Sequence, residues 1–207
     1  MIQHSRQDNR RNITGVLLAA GTSSRFHGDK LTQPIAKQTP MVLASLQPLL
    51  DTLTNVIVVI SPHNKPLEKI LVNTSAKVSI CDNAHLGMGA SLAHGIRSTP
   101  ESDAWLIALA DMPFIKPSTF SALIQRLDAG ALICAPDYKG QRGHPVGFSK
   151  TLYPELTALN EDVGARQIIK HYANQVSLVK TNDSAVIYDI DYRHQLNALM
   201  LGAPLSV

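Results

Sequence analysis

Five short apolar runs, separated by stretches with helical periodicity, constrain the fold of this chain more than any other feature. They are rich in Val, Ile, Leu and Ala, are bounded by Gly, Pro, Asp or Asn, and cover residues 13–20, 55–60, 77–81, 104–110 and 131–135. Such runs are typical of strands that are buried on both faces of a parallel sheet. The alternation predicts an α/β protein, a single-domain three-layer α/β/α sandwich with a mainly parallel sheet.

The stretches between the runs predict the helices of the two outer layers. One helix is expected to begin at Pro117, since proline is favoured in the first helical turn. Another carries Met88, Leu92 and Ile96 on one face. Residues 136–147 contain several glycines and prolines, and they predict a loop over the site rather than a domain boundary.

Length and composition indicate one domain and argue against binding to nucleic acid or insertion into a membrane. The chain has 207 residues, 44% of them hydrophobic, which suffices for one substantial core. Residues 1–12 are expected to form a solvated tail before a domain spanning 13–207. The net charge of +3 is too mild to predict nucleic-acid binding, and no run is long enough to cross a membrane. Cys81 and Cys134 lack metal-ligand spacing, so they indicate reduced core residues and a cytoplasmic location.

The segment 16–30 predicts a grip for a nucleoside triphosphate. An apolar run ends there in a small-residue turn, where a strand can present backbone N–H groups to phosphate. Gly21 permits close approach of an anion, Arg25 can clamp phosphate oxygens, and Lys30 supplies a mobile positive charge. The spacing from Gly21 to Gly28 does not fit a Walker A loop, and no G-x-G-x-x-G follows the strand.

Asp111 is the first candidate metal ligand. It follows the run 104–110, so its carboxylate is expected at the carboxyl end of a strand, where ligands of α/β sheets bind. Magnesium is usually held by one or two carboxylates together with substrate phosphates, and Asp191 is the candidate for the second acid. The alternative is that Asp111 caps the helix that begins at Pro117 or simply ends a strand.

Three further segments contain candidate binding residues. Asn83 can read the edge of a base, while Gly87 and Ser91 lie where a helix begins, so this segment is expected to contact the base and ribose. The alternative is a glycine-rich helix start with an exposed Ser91. His144, in the turn 143–145, can donate to a phosphate, and the alternative is a plain turn. Residues 162–166 predict a helix N-cap and first turn, with Arg166 available to a substrate phosphate.

Six blocks resemble, in order, the molybdenum cofactor nucleotidyltransferases, or MobA-like NTP transferases, and the last four are most similar to the cytidylyltransferase branch. The blocks are Leu18-Ala19-Ala20-Gly21-Thr22-Ser23-Ser24-Arg25-Phe26 with Lys30, Gly87-Met88-Gly89-Ala90-Ser91-Leu92, Ala110-Asp111-Met112-Pro113, Gly143-His144-Pro145-Val146, Asp162-Val163-Gly164-Ala165-Arg166 and Asp189-Ile190-Asp191. The chain departs from the family pattern at an inserted His27, at Ala110 and at Glu161. The resemblance implies a Rossmann-like fold of the nucleotide-diphospho-sugar transferase type.

The resemblance also implies a role for each block. The first binds the nucleotide through Leu18, Ala19, Ala20, Gly21 and Ser24, with Arg25 and Lys30 as catalytic residues. The second holds the base through Gly87 and Ser91, together with Asn83. Asp111 is catalytic and shares Mg²⁺ with Asp191, although Asp189 remains an alternative because Tyr192-Arg193 replaces the usual Thr-Pro. His144 lines the side of the acceptor substrate.

The implied activity is a magnesium-dependent transfer of CMP from CTP to the phosphate of molybdopterin, with release of pyrophosphate. CTP is preferred because Ala19-Ala20 replaces the Gly-Gly of the guanylyl branch, and the added methyl groups are expected to crowd a purine. A molybdoenzyme is the implied recipient of the product. Three alternatives remain open: a relative that uses GTP, one that acts on another phosphate acceptor such as a sugar phosphate, and a non-catalytic protein that delivers a cofactor.

Overall fold

The computed structural model describes residues 11–21, 26, 28–35, 38–62, 64–160 and 162–200. The strands are β1 Ile13–Leu18, β2 Asn55–Ile60, β3 Lys77–Ile80, β4 Ala104–Leu109, β5 Ile133–Tyr138, β6 Gln141–Arg142, β7 Val146–Ser149 and β8 Val176–Lys180. The helices are α1 Met41–Thr52, α2 Lys65–Leu71, α3 Met88–Arg97, α4 Pro117–Asp128, α5 Tyr153–Thr157, α6 Arg166–His171 and α7 Arg193–Met200.

All eight strands form one sheet in the order β3-β2-β1-β4-β7-β5-β6, with β8 paired to β5. The pairs β2·β3, β1·β2, β1·β4 and β5·β8 are parallel. Among these eight strands, antiparallel pairing is confined to β7, which lies between β4 and β5, and to β6 on β5. The predicted α/β class with a mainly parallel sheet is therefore confirmed, and all five predicted strands are present.

The prediction of a loop over residues 136–147 is wrong. β5 continues to Tyr138, a turn leads into β6, and β7 begins at Val146. The glycines and prolines that suggested a loop are compatible with these short strands. A Cβ on Gly147 would lie only 2.6 Å from the sulphur of Cys134, so β7 needs a glycine to pair with β5. Long-range pairing therefore overrides local composition.

Two hydrophobic cores lie on opposite faces of the sheet, as three layers require. Successive side chains of a strand point to opposite faces, and Leu17 and Ala19 accordingly belong to one core while Val16, Leu18 and Ala20 belong to the other. The first core contains buried residues of α1, α2 and α4, and the second contains those of α3, α5 and α6. The central strands β1 and β4 are thus covered on both sides.

Helix α4 begins at Pro117 as predicted, but its start is not held by Asp111. The buried carboxylate of Asp183 accepts hydrogen bonds from the Lys116 N–H and the Thr119 hydroxyl, both at 2.8 Å. Asp183 therefore satisfies amide and hydroxyl donors of the first turn. The helix-cap alternative for Asp111 is therefore wrong.

Both cysteines are free and buried, as the sequence predicts. Burial raises the pKa of the Cys134 thiol to about 12. Of the predicted tail, only residues 11 and 12 lie within the described part, and both are tied to the domain. Their backbone N–H groups donate to the carboxylates of Asp128 and Asp103. Within the described ranges, no helix has the length and apolar character that crossing a bilayer requires.

Candidate active site

A cavity of about 540 Å³ lies at the carboxyl ends of β1 and β4. Its wall comes from separate parts of the chain, two of which follow the ends of β1 and β4. The parts are Leu18–Gly21 after β1, Lys30 and Leu31, Ala84–Met88 with Ser91 before and within α3, Leu109–Asp111 after β4, and Asp162 with Asp191. This is the edge at which α/β sheets bind ligands, as the sequence predicts.

The end of β4 is fixed by hydrogen bonds from both neighbouring elements. The Ala110 N–H donates to the carbonyl of Leu18 at 3.1 Å, which extends the β1·β4 ladder by one residue. The buried hydroxyl of Ser45 in α1 donates to the Ala110 carbonyl at 2.7 Å. The chain therefore leaves the sheet at a defined point, and the side chain of Asp111 projects into the cavity.

An ammonium group bridges two carboxylates at the floor of the cavity. Lys30 Nζ lies 2.9 Å from Asp111 Oδ2 and 3.3 Å from Asp191 Oδ1. The Lys30 side chain is only 8% exposed, whereas the two carboxylates keep about a quarter of their surface in contact with solvent. A buried ammonium requires such partners, because an unpaired charge is costly to bury. The carboxylates of Asp111 and Asp191 therefore balance the charge of Lys30.

The segment 189–191 is anchored to the end of β4. The N–H of the buried Ile190 donates to the Asp111 carbonyl at 3.0 Å, which brings the acids on either side of Ile190 close to Asp111. The side-chain carbonyl of Gln195 accepts hydrogen bonds from the backbone N–H groups of Asp191 and Tyr192, each at 2.8 Å. Asp191 is thus held by its backbone as well as by its ion pair.

Asp111, Asp189 and Asp191 form a site that fits a divalent cation. One ligand oxygen from each lies within 4.8 Å of the others, and carboxylate oxygens are the donors that hard cations such as Mg²⁺ prefer. Loss of hydration, followed by the charges of Asp191 and Asp111, raises the pKa of the Asp189 carboxyl. The repulsion among these acids is what a divalent ion would relieve. The structure therefore brings both candidates for the second ligand to Asp111.

The predicted base-contacting segment forms one wall of the cavity. Gly87 precedes α3 with a φ of 117°, a backbone conformation that favours glycine. The hydroxyl of Ser91 is buried and donates to the Gly87 carbonyl at 3.3 Å, so Ser91 is not exposed. Asn83 is exposed and does not line the cavity, although Ala84 beside it does.

The predicted phosphate grip lies only partly within the described residues. Leu18, Ala19, Ala20 and Gly21 all line the cavity. Ser24 and Arg25, together with the inserted His27, lie outside the described residues. Lys30 contacts the acidic pair, so its expected position near a phosphate remains a prediction.

His144 is held beside the cavity rather than on its wall. The backbone N–H of His144 donates to the Val186 carbonyl at 2.8 Å. A Cβ on Gly143 would overlap that same carbonyl oxygen. The His144 Nδ1 atom is buried and has no hydrogen-bond partner in the described part of the chain. Burial, followed by the charge of Arg142, lowers the pKa of the imidazole to about 4. His144 is therefore neutral at pH 7 and can donate through only one ring nitrogen.

This pKa predicts a loss of stability in acid. Between pH 6.5 and pH 4 the unfolded chain binds a proton at His144 and the folded chain does not, so the free energy of unfolding falls as the pH falls. The contribution is complete above about pH 6.5 and amounts to at most about 3 kcal/mol. Urea unfolding at pH 7 and pH 4.5 should show a smaller loss for His144→Asn than for wild type. Exposed His171→Asn is the control, and an equal loss in all three proteins would contradict the assignment.

Asp162 caps a helix, but not the one that the sequence predicts. Helix α6 begins at Arg166 and receives no cap from a side chain. Asp162 Oδ1 instead accepts a hydrogen bond from the N–H of Met88, the first residue of α3, at 3.2 Å. Local spacing placed Asp162 near a helix start, whereas its partner is 74 residues away in the chain. Asp162 is also a cavity residue that sequence reasoning missed, and so are His85 and Leu86.

The mostly parallel sheet and the cavity at its carboxyl edge define an α/β protein with a ligand-binding cavity. The chain belongs to the family of the MobA-like NTP transferase domain, whose sequence profile matches residues 15–176. It is a nucleotidyltransferase of that family, and the resemblance found in the sequence is confirmed.

Three curated relatives carry different names. The chain is 29% identical to purine catabolism protein PucB of Bacillus subtilis over 189 residues, which cover 86% of this chain and 91% of PucB. It is 25% identical to nicotine blue oxidoreductase of Paenarthrobacter nicotinovorans, covering 91% and 96% of the two chains. It is 27% identical to a probable molybdenum cofactor guanylyltransferase of Thermococcus sibiricus, covering 61% and 63%.

A solved structure confirms the fold. The crystal structure of Rv0371c from Mycobacterium tuberculosis has a TM-score of 0.82 and 25% identity, covering 92% of this chain and 98% of its own. A complex of the same protein with manganese has a TM-score of 0.76 and 24% identity, covering 90% and 98%.

Proposed function

We propose that this protein transfers CMP from CTP to the phosphate of molybdopterin and releases pyrophosphate, with Mg²⁺ as cofactor. The observation that carries the proposal is the contact of Lys30 with Asp111 and Asp191 in the cavity, in a chain of this family. The manganese complex of Rv0371c supports a divalent ion. Two free, buried cysteines fit a reducing cytoplasm, where a molybdoenzyme would receive the product.

The reaction needs alignment more than it needs a base. A phosphate monoester is largely dianionic at neutral pH, so one of its oxygens can attack the α-phosphorus of the nucleotide directly. The new O–P bond forms as the bond to the β-phosphate breaks, and pyrophosphate leaves with the electron pair. Arg25 and the backbone amides after Ala20 would hold the leaving phosphates, and Lys30 would neutralise charge near the α-phosphate.

Mg²⁺ bound by Asp111 and Asp191, or by Asp111 and Asp189 if Asp189 is the second ligand, would supply charge neutralisation at the phosphates. On the acceptor side, the neutral imidazole of His144 can donate one hydrogen bond. Arg166 is the cation that we expect to attract an acceptor phosphate.

The choice of CTP rests on Ala19 and Ala20. Both residues line the cavity but are almost fully buried, with exposures of 2% and 6%, and they pack in opposite cores. We expect the parts of Ala19 and Ala20 that line the cavity to leave less room for a purine than for a pyrimidine. The test is a competition assay with Mg²⁺, molybdopterin and equal CTP and GTP. Wild type should favour CTP, and the Ala19→Gly/Ala20→Gly variant should narrow that preference only in part, because hydrogen bonds to the base remain.

GTP is the second candidate nucleotide, and the similarity to a probable molybdenum cofactor guanylyltransferase favours it. Equal use of GTP and CTP by wild type would exclude the cytidylyltransferase assignment and leave the nucleotidyltransferase assignment intact. Turnover with a sugar phosphate but not with molybdopterin would exclude molybdopterin as the acceptor substrate.

Gly21→Ala tests the phosphate grip without disturbing the fold. A Cβ on Gly21 would meet no heavy atom of the described residues within 4 Å, so the free protein should keep its melting temperature to within about 1 °C. If the backbone approaches the phosphates closely, the methyl group should raise the nucleotide KM at least about tenfold. An unchanged KM would show that phosphate does not approach Gly21.

Lys30→Met tests whether the ammonium and a divalent ion compete for the same acids. Like charges about 4 Å apart repel by several kcal/mol near a protein surface, and solvent screening reduces that figure here. Removal of the ammonium should therefore tighten Mn²⁺ binding to the nucleotide-free protein at least about tenfold, as measured by the paramagnetic signal of free Mn²⁺. Lys30→Arg keeps the charge and should bind as weakly as wild type. Equal or weaker binding by Lys30→Met would contradict competition.

A further inference from the structure

Two segments that are far apart in the chain meet at the edge of the cavity. The N–H of Met88 donates to Asp162 Oδ1 at 3.2 Å. At the same point a Cβ on Gly87 would lie 2.6 Å from the Cα of Asp162, a separation that real Cβ atoms do not show. The backbone of Asp162 therefore packs directly on Gly87 while its carboxylate holds the next amide.

This contact fixes the wall that is expected to hold the nucleotide. Met88 is the first residue of α3, and the first amides of a helix have no partner within the helix. The Gly87 carbonyl accepts the first helical bond of α3, from the Ser91 N–H at 3.3 Å, and also the Ser91 hydroxyl. Gly87 is thus held by Ser91 on one side and by Asp162 on the other, and all three residues line the cavity.

A second contact joins the same two segments. Gly164 has a φ of 57°, which lies in the left-handed region, and a Cβ there would lie 3.4 Å from the sulphur of Met88. The Met88 side chain therefore packs over Gly164, two residues after Asp162. The contact between residues 87–88 and 162–164 thus consists of one hydrogen bond and close packing at two glycines.

We propose that Asp162 is a positioning residue for the nucleotide, because it fixes the Gly87–Met88 turn in the conformation that the bound nucleotide requires. The inference rests on the proposal that the cavity binds a nucleotide. Asp162 is itself exposed and contacts a backbone amide, so it acts through the cavity wall and not on the reacting atoms. The hydrogen bond needs an acceptor oxygen and not a negative charge.

The experiment compares Asp162→Ala with Asp162→Asn. Removal of the acceptor should raise the nucleotide KM at least about fivefold and leave kcat within about twofold, since a lost wall contact weakens ground state and transition state alike. Asparagine keeps a carbonyl oxygen in the same place and should restore KM to within about twofold of wild type. Asp103→Ala is the matched control. It also removes a carboxylate that accepts from a backbone amide, but at the opposite end of β4.

Equilibrium binding of the nucleotide by titration calorimetry separates this inference from the proposed function. If wild type binds no nucleoside triphosphate, the proposed function fails. If wild type binds one and Asp162→Ala binds it equally well, the positioning role is overturned. An equal loss of kcat in Asp162→Ala and Asp162→Asn would also overturn it, because it would assign the effect to the charge. Melting temperatures close to that of wild type verify that the fold is retained.

Discussion

Asp111→Asn is expected to lower kcat/KM at least about 100-fold while the protein stays folded. The substitution keeps the shape of the side chain. It removes one negative charge from the cluster formed by Asp111, Asp189 and Asp191. A hundredfold loss corresponds to about 2.7 kcal/mol of transition-state stabilisation, which is typical for the loss of one preorganised electrostatic partner. The backbone carbonyl of Asp111, which accepts from Ile190, is unchanged, so the segment 189–191 should stay in place.

The measurement is steady-state release of pyrophosphate, together with the melting temperature of each variant. Asp51→Asn is the matched control, because Asp51 lies in α1 and its carboxylate bonds only to the Gln47 side chain among the contacts described. It should retain wild-type kinetics. A folded Asp111→Asn protein that releases pyrophosphate at the wild-type rate would remove Asp111 from the metal site.

Asp191→Asn is expected to cost at least about tenfold more in kcat/KM than Asp189→Asn. Asp191 forms an ion pair with Lys30 at 3.3 Å, and Gln195 fixes its backbone. Asp189 belongs to the same group of ligand atoms but is exposed. A ligand that is held rigidly contributes more to a metal site than one that must be ordered on binding. The reverse order of the two effects would make Asp189 the second ligand.

The fold was predictable from the sequence wherever a strand consists of a continuous apolar run. The continuous apolar runs of β1 and β4 indicate buried strands from the sequence alone. Asp111 follows β4, so it could be placed at the carboxyl edge of the sheet. β6, β7 and β8 were not predicted. β7 has the sequence Val-Gly-Phe-Ser, and only its pairing with β4 and β5 makes it a strand.

The part of the site that follows predictable strands was itself predictable, whereas contacts that depend on long-range packing were not. Leu18–Gly21 and Asp111 follow β1 and β4, which pair in parallel, so their convergence at one edge of the sheet follows from topology. The contacts of Lys30 with Asp111 and Asp191 were not predicted from the sequence. The partner of Asp162 could not be found from spacing, because its cap on Met88 joins segments 74 residues apart. Nothing in the sequence indicated that His144 Nδ1 is buried, or that Gly143 beside it packs against Val186.

Nucleotidyl transfer is the central claim, and the fate of labelled CTP tests it most directly. The protein is incubated with Mg²⁺, molybdopterin and CTP that is labelled at either the α- or the γ-phosphate. The account predicts that the α-label appears in a dinucleotide product and the γ-label in pyrophosphate. Transfer of the γ-label to the acceptor, or its release as orthophosphate while the α-label stays in CDP, would contradict nucleotidyl transfer.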